Sequence, residues 1–260
     1  MADAAVDKPW AGRLVMWRGG SIWLGQVASA TDIHVHHTIQ VTLSLEGSVP
    51  QFRTALGEWV DYQASIIAAH QPHAFQASGN LIALIFAEPE SRAGRALRAR
   101  YPDGIARLDA HSLRLPMQAL AAAYRQGQSD EALADIARGV IAQLAQLAPA
   151  PPRTLDQRIE RAIAAMRERL GDAVAMADIA HAVHLSPERF RHLFLQETGV
   201  RFRPYLLWLR LEVALGAYAA GRNLTEASHA GGFADSAHLS RTFRRMYGVP
   251  AIDVRHHGAN

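Results

Sequence analysis

Hydrophobic and polar residues alternate along the first third of the chain. Between about residues 10 and 90 they alternate over short stretches, as in Thr38 to Leu45 and Leu81 to Phe86. Five glycines punctuate these stretches, at Gly19, Gly20, Gly47, Gly57 and Gly79. A period of two residues is typical of strands that bury one face. The pattern therefore predicts an all-β region.

The apolar spacing becomes helical after about residue 90. From Glu90 to Gln146 the chain is rich in Ala, Leu, Arg and Gln, which predicts two or three helices packed on the β region. An apolar stripe lies within residues 117 to 146, at Leu133, Ile136, Val140, Ile141 and Leu144. We expect this stripe to form the subunit contact of a homodimer, and packing on the β region is the alternative.

A proline-rich segment separates this region from a largely helical one. Pro149, Pro151 and Pro152 cannot continue a helix and favour extended backbone. The predicted organisation is an α+β chain of two domains. Residues 1–148 are expected to form a first domain of strands with packed helices, residues 149–153 a linker, and residues 154–260 an all-α domain.

Two segments of the all-α domain match at an offset of 49 residues. Ser186, Phe190, Phe194, Gly199 and Val200 correspond in order to Asp235, Leu239, Phe243, Gly248 and Val249. Each copy has a capping residue, apolar positions four apart and a terminating glycine, which predicts a short amphipathic helix.

A second short helix is predicted before each copy, at Met176 to Val183 and at Leu224 to Ala230. Two short helices joined by a tight turn make a helix-turn-helix, whose second helix enters the major groove of DNA. Between the two pairs, Pro204 to Ala219 predicts a helix of roughly 24 Å at 1.5 Å per residue. Such a helix can set two readers on successive major-groove faces, about 34 Å apart.

The residues from about 155 to 255 resemble the AraC/XylS family of transcriptional regulators. The first helix-turn-helix carries the resemblance at Asp178, Ile179, Ala180, Leu185, Ser186, Pro187, Phe190, Leu193, Phe194 and Gly199. The second helix-turn-helix carries it at Gly232, Phe233, Asp235, Ser236, His238, Leu239, Ser240, Arg241, Phe243, Arg244, Gly248 and Arg255. The resemblance implies a double helix-turn-helix that binds double-stranded DNA at promoter sites.

The resemblance also implies which side chains contact DNA. The expected base-reading positions are Glu188, Arg191, His192, Ala237, His238 and Arg241. Those expected to contact phosphates are Arg189, Arg203, Arg244 and Arg245. The charge distribution agrees, because residues from 153 onward carry 15 Arg against 11 Asp and Glu, net +4, while the preceding residues are net −1.

The β region resembles the cupin β-barrel in its histidines. His34 and His36 point to the same face of a strand, Gln40 replaces the acid of the first cupin motif, and His73 follows a proline in a degenerate second motif. Three imidazoles with one amide oxygen would suit Zn, Ni, Fe or Mn. The alternative is a polar pocket that binds an organic effector without metal.

Composition excludes several other classes. The chain has no cysteine, hence no disulfide, thiolate metal site or cysteine nucleophile. No apolar run approaches the roughly 20 residues that span a bilayer, and no signal peptide is evident, so a cytoplasmic protein without membrane contact is expected.

These observations predict a non-enzymatic, sequence-specific transcriptional regulator. A small molecule or metal ion in the N-terminal domain would control it, and it would act as a homodimer, with RNA polymerase as a further partner. The alternative function is a metal-dependent, dioxygenase-like cupin enzyme joined to a DNA-binding domain.

Overall fold

The structure is a computed structural model that describes residues 10–27, 30–47, 49–77, 79, 81–146, 154–171, 173–249 and 255–256. The predicted linker at 149–153 lies outside the described residues. The chain forms two compact units. The first comprises residues 1–150 together with 243–260, and the second comprises residues 151–242.

The described residues of the first unit form ten strands in two sheets. In chain order they are β1 (Trp10–Trp17), β2 (Gly20–Val27), β3 (Ile39–Glu46), β4 (Gln51–Arg53), β5 (Val60–Asp61), β6 (Ala64–Ile67), β7 (Ala74–Gln76), β8 (Leu81–Ala87), β9 (Ile105–Arg107) and β10 (Arg255–His256). The larger sheet has the order β10-β1-β2-β8-β3-β6-β9, and the smaller has the order β5-β4-β7. The predicted α+β class is confirmed, but the described strands form two open sheets and not a closed barrel.

Strand β8 lies in the middle of the larger sheet, and all seven of its residues are buried. Ala83 and Ile85 belong to the core that includes the helices of this unit. Leu84 and Phe86 point to the other face, where they line a cavity. The sheet is therefore covered by helices on one face and encloses the cavity on the other.

Three helices lie between residues 90 and 146, as the helical spacing predicted: α1 (Arg92–Arg100), α2 (Arg114–Arg125) and α3 (Asp130–Gln146). The expectation that the stripe on α3 forms a subunit contact is wrong. Leu133 and Val140 are fully buried in the core of this unit, Ile141 and Leu144 are also buried there, and Ile136 packs against it. The homodimer stays a prediction, without this stripe as its surface.

The remaining helices are α4 (Gln157–Glu168), α5 (Met176–Ala182), α6 (Pro187–Thr198), α7 (Phe202–Ala219), α8 (Leu224–Ala230) and α9 (Ser236–Tyr247). The first five lie in the second unit, and α9 begins there and ends in the first. No helix in the described part of the chain is long and apolar enough to cross a membrane.

The 49-residue repeat is confirmed as two helices of equal length, α6 and α9, with 12 residues each. The Ser186 hydroxyl accepts from the backbone N–H of Arg189, and the Asp235 carboxylate accepts from that of His238. Each helix ends at a glycine with positive φ, 78° at Gly199 and 73° at Gly248. Glycine fits there because other residues are strained in the left-handed region.

An aromatic cluster packs α6, the second helix of the first helix-turn-helix, against α7. Phe190 and Phe194 on α6 are fully buried, and the Phe194 ring lies 5.1 Å from Tyr205 and 5.9 Å from Phe202 on α7. In the second helix-turn-helix, the predicted capping box of Asn223 and Glu226 is present at the start of α8. Helix α8 thus begins where the local sequence predicts.

Candidate DNA-binding surface and histidine cluster

Helix α6 exposes the side chains that the sequence analysis assigned to DNA. Glu188, Arg189, Arg191 and His192 are all exposed, whereas Phe190 on the same helix is fully buried. This division follows from the helical period, since residues three to four apart share a face. The outer face of α6 is therefore available to a ligand as large as DNA.

Glu188 joins Arg191 and His192 into one surface network. The Arg191 guanidinium donates to Glu188 through Nη2 at 2.6 Å and through Nε at 3.2 Å, and His192 Nε2 lies 2.8 Å from Glu188 Oε1. Hydrogen bonds from Arg191, followed by His192, lower the pKa of Glu188 to about 2. The Glu188 carboxylate thus stays charged, and Arg191 must exchange this partner to contact a base.

Helix α9 presents a similar set of side chains. Ala237, Arg241 and Arg245 are exposed, and His238 is half-buried with its ring 5.1 Å from Phe233. Arg244 is exposed too, but its guanidinium donates to Asp32 Oδ2 from Nε at 3.0 Å and from Nη2 at 2.8 Å. Among these arginines, Arg244 is therefore paired with a carboxylate, in the place that a DNA phosphate would take.

The structure brings His34, His36 and His73 together inside the first unit. All three are buried, and each can place one ring nitrogen within 4.8 Å of the others. His34 and His73 are joined by a β-bridge, with backbone N···O distances of 2.9 and 3.0 Å in the two directions. The two histidine motifs, distant in sequence, therefore meet through backbone pairing.

Backbone carbonyls fix the orientation of all three rings. The Nδ1 atoms of His34, His36 and His73 each lie 2.8 Å from a carbonyl oxygen, of Asp32, Thr38 and Gln71 respectively. A carbonyl oxygen only accepts, so each Nδ1 carries a proton, and Nε2 of His34 and of His73 keeps its lone pair. This arrangement is typical of histidines that bind metal ions.

The Nε2 atoms of the histidine rings differ in their surroundings. His73 Nε2 is buried and has no hydrogen-bond partner among the residues that the structure describes. His36 Nε2 lies 3.0 Å from Gln40 Oε1, and Gln40 Nε2 donates to Thr42 Oγ1 at 3.0 Å. Gln40 is buried and next to the cluster, as predicted. A buried lone pair without a partner is costly, and a metal ion would satisfy it.

Burial keeps the three rings neutral. Desolvation, followed by repulsion from a neighbouring histidine, lowers the pKa of His34, His36 and His73 from 6.5 to about 3. Metal ligation requires neutral imidazole. Near neutral pH the cluster therefore presents three neutral imidazoles.

The adjacent His37 belongs to a different set of contacts. His37 Nε2 lies 3.0 Å from Glu90 Oε2, and its Nδ1 lies 3.2 Å from His70 Nε2. Because consecutive residues of an extended segment face opposite sides, His36 joins the cluster while His37 does not. His37, His70 and Glu90 thus stabilise the segment that carries His36.

A cavity of about 30 Å³ lies beside the histidines, in the first unit. Its walls include His34, Gln40, Trp23, Phe86 and Tyr247. This volume is that of roughly one water molecule. As the side chains stand, the cavity admits an ion or a water but not an organic molecule.

Sequence analysis missed two parts of this site. The carbonyls of Asp32, Thr38 and Gln71 are backbone atoms, which no residue type signals. Tyr247 stood outside every matched position of the repeat, although it directly precedes the terminating Gly248. Its place in the cavity wall follows from tertiary contacts alone.

Comparison with known proteins identifies the helical region. A family model described as a helix-turn-helix domain matches residues 179–257. An uncharacterized HTH-type transcriptional regulator of Escherichia coli K12, YijO, is 36% identical over 81 residues. The match covers 30% of this chain and 28% of that protein. The matched helix-turn-helix domain lies in the C-terminal region of the chain.

Solved structures of ToxT from Vibrio cholerae share the fold over most of the chain. One matches with a TM-score of 0.58 at 12% identity and covers 89% of this chain and 94% of ToxT. The structure of ToxT bound to an unsaturated fatty acid matches with a TM-score of 0.57 at 10% identity and covers 92% and 94%. The C-terminal region of the chain therefore contains a helix-turn-helix domain, in agreement with its resemblance to the AraC/XylS regulators, and the fold is similar to that of ToxT.

Proposed function

We propose that this protein is a sequence-specific DNA-binding transcriptional regulator whose first unit binds a divalent transition metal ion as effector. The repeat carries the DNA-binding part of the proposal. Two helices with the same caps expose arginines on their outer faces, and Arg can bind guanine through two hydrogen bonds. Nothing in this function requires catalysis.

Replacing Arg241 by alanine tests the readout by α9. The exposed Arg241 faces away from the buried Leu239 and Phe243, so its loss removes a base contact without disturbing the core. We expect a loss of about 1–3 kcal/mol on a duplex selected by the wild-type protein, and relaxed preference at one base pair. Binding is measured by fluorescence anisotropy on the selected duplex and on single-base variants of it.

Arg245→Ala is the matched control, because it removes the same charge from the same helix. As a phosphate contact it should weaken all sequences alike and reduce the salt slope by about one unit. If both variants weaken selected and random duplexes equally, Arg241 does not read a base.

The residues that would hold the metal ion are His34, His36 and His73, with Gln40 beside them. The partnerless Nε2 of His73 is the observation that carries this part. Imidazole suits Zn, Ni and Fe, and the amide oxygen of Gln40 is a harder ligand that Mn also accepts. The bound ion would act as a positive charge that ties together two backbone segments.

The cavity volume favours an ion over an organic effector. ToxT binds an unsaturated fatty acid in one of its structures. Here about 30 Å³ are open beside the histidines, so a lipid or the substrate of a dioxygenase would require rearrangement of the cavity walls. The alternative of a metal-dependent enzyme is therefore not favoured.

Metal content per chain tests the site. The protein, purified without a polyhistidine tag and incubated in turn with Zn, Ni, Mn or Fe, should retain about one equivalent of an ion that fits three histidines. His73→Ala should lose it, whereas the exposed His111→Ala should keep it. Plasma mass spectrometry after gel filtration gives the stoichiometry. Metal content that is low in the wild type and unchanged in His73→Ala would rule out the metal ion as effector.

A further inference from the structure

The outer face of α6 carries an acidic residue among its predicted DNA contacts. Glu188 is the second residue of the helix, directly after Pro187. The N-terminal residues of the second helix of a helix-turn-helix contact base edges in the major groove. The side chains of Glu188, Arg191 and His192 are all more than half exposed, so one DNA groove can contact all three.

The ion pair between Glu188 and Arg191 occupies the nitrogens with which arginine contacts guanine. Arg191 Nη2 lies 2.6 Å from Glu188 Oε1, and Nε lies 3.2 Å from Oε2, so each carboxylate oxygen accepts one hydrogen bond. Nη2 also lies 3.1 Å from His192 Nε2. A bidentate contact uses two adjacent nitrogens of the guanidinium, and either such pair includes Nη2. Reading guanine therefore competes with this network.

Helix α9 offers a comparison within the same chain. At the offset of 49 residues, Ala237 corresponds to Glu188, and Arg241 corresponds to His192. Arg241 is exposed, and it has no ion pair among the residues that the structure describes. The acidic residue is thus a feature of the first helix-turn-helix and not of the repeat.

We propose that Glu188 determines the sequence specificity of α6, because it releases Arg191 only to a site that offers a guanine together with an adjacent base that carries an amino group. This inference rests on the proposed DNA-binding function and names the bases that one helix selects. Guanine presents O6 and N7 as acceptors to arginine, and the N4 amino group of cytosine donates to a carboxylate. Adenine presents its N6 amino group in the same groove.

The hydrogen bonds balance only on such a site. Arg191 exchanges Glu188 for the two acceptors of guanine, and Glu188 exchanges Arg191 for the amino group, so neither charged side chain is left without a partner. On another sequence, release of Arg191 leaves the carboxylate unpaired near phosphate groups, which repel it. If the ion pair stays closed, the contact between Arg191 and a base is lost. Glu188 therefore lowers the affinity for a wrong sequence more than for the right one.

Glu188→Gln tests the proposal, because the amide has nearly the same size but no charge, and the exposed position puts folding at little risk. Affinity for a duplex selected by the wild-type protein should fall by about 5-fold or more, the lower end of the loss of a base contact. Affinity for a random-sequence duplex should rise by about 1.5- to 5-fold, the range that corresponds to an exposed ion pair. The ratio of the two affinities, measured by fluorescence anisotropy, should thus fall on the order of tenfold.

Glu168→Gln is the matched control. Glu168 is an exposed carboxylate on α4 in the same unit, so its substitution changes the net charge equally, and it should leave the ratio unchanged. A contribution of Glu188 to the stability of α6 through the helix dipole would likewise affect both duplexes alike. In an Arg191→Ala background, Glu188→Gln should raise the affinity for random duplexes no more than Glu168→Gln does, because no arginine is left to release.

The base that contacts Glu188 is tested on the DNA itself. Selection from a random library with the wild type and with Arg191→Ala identifies the guanine that Arg191 contacts and its neighbours. Replacing a neighbouring cytosine by thymine, or an adenine by guanine, puts an oxygen acceptor in place of the amino group. This replacement should weaken binding of the wild type but change binding of Glu188→Gln little, because an amide both donates and accepts.

The outcomes separate this role of Glu188 from the function on which it rests. Equal affinity ratios for Glu188→Gln and Glu168→Gln, or a gain on random duplexes that persists without Arg191, would overturn the role while DNA binding stands. Selection by the wild type of no amino-bearing base beside the guanine would overturn it as well. Failure of the wild type to bind any duplex would overturn the proposed function itself. A lower ratio in Glu188→Gln alone, with a gain on random duplexes that requires Arg191, would support the proposal.

Discussion

Replacing Phe194 by alanine is expected to lower the free energy of unfolding of the helical unit by about 3–5 kcal/mol. The Phe194 side chain is fully buried between Phe190, Phe202 and Tyr205, so its removal leaves a cavity in the packing of α6 on α7. Because α6 carries the exposed arginine of the first reader, DNA binding should be lost with the fold. Denaturant titration followed by helical circular dichroism gives the change in stability.

The neighbouring Leu195 supplies the control. Its side chain is 39% exposed, so Leu195→Ala removes a comparable apolar group from the same helix without opening a cavity in the core. Its effect should stay within about 0.5 kcal/mol, the usual range for surface substitutions. A cost below about 1 kcal/mol for Phe194→Ala would show that the aromatic cluster does not hold α6 in place.

Acidification is expected to destabilise the first unit of the metal-free protein strongly. Burial lowers the pKa of His34, His36 and His73 to about 3, whereas in the unfolded chain each is close to 6.5. Below pH 6.5 the unfolded chain therefore binds protons that the folded chain does not. The contribution of these three histidines to the free energy of unfolding is fully present above about pH 6.5, and it is lost progressively as the pH drops from there towards 3.

The slope of this loss reports how many histidines are held neutral. Three such groups give a limiting slope of about 4 kcal/mol per pH unit, and His36→Gln should reduce it by about a third. His111→Gln should leave the slope unchanged, because His111 is exposed. Denaturant titrations between pH 7.5 and pH 4.5, carried out after chelation, measure it. Stability that is independent of pH across this interval would contradict the neutral, buried cluster.

Local sequence determined the helical region almost completely. Helix starts depend on a capping side chain within the first turn, and helix ends depend on a residue that tolerates positive φ. Ser186, Asn223, Asp235, Gly199 and Gly248 supply these, and they stand where the structure begins or ends a helix. The exposure of Arg191 and Arg241 likewise follows from the helical period.

The sequence also indicated the three histidines that the structure brings together, but it could not show what surrounds them. His34 and His36 share a face because they are two residues apart, and that relation is local. Their meeting with His73 depends on a β-bridge between distant segments, and their tautomers depend on backbone carbonyls. Only the tertiary structure decides such contacts, since backbone atoms carry no residue-type signal.

The apolar stripe on α3 shows what the sequence alone could not determine. An apolar helical face must be covered, but periodicity does not say by what. Leu133 and Val140 are completely buried in the core that α3 shares with the strands and the other helices of the first unit, so the stripe forms core and not a subunit contact. Likewise, the repeat fixed Gly248 as a helix terminus, while its contact with Asp32 depends on how the chain returns to the first unit. Short-range rules set where elements begin and end, and long-range packing decides which surfaces they share.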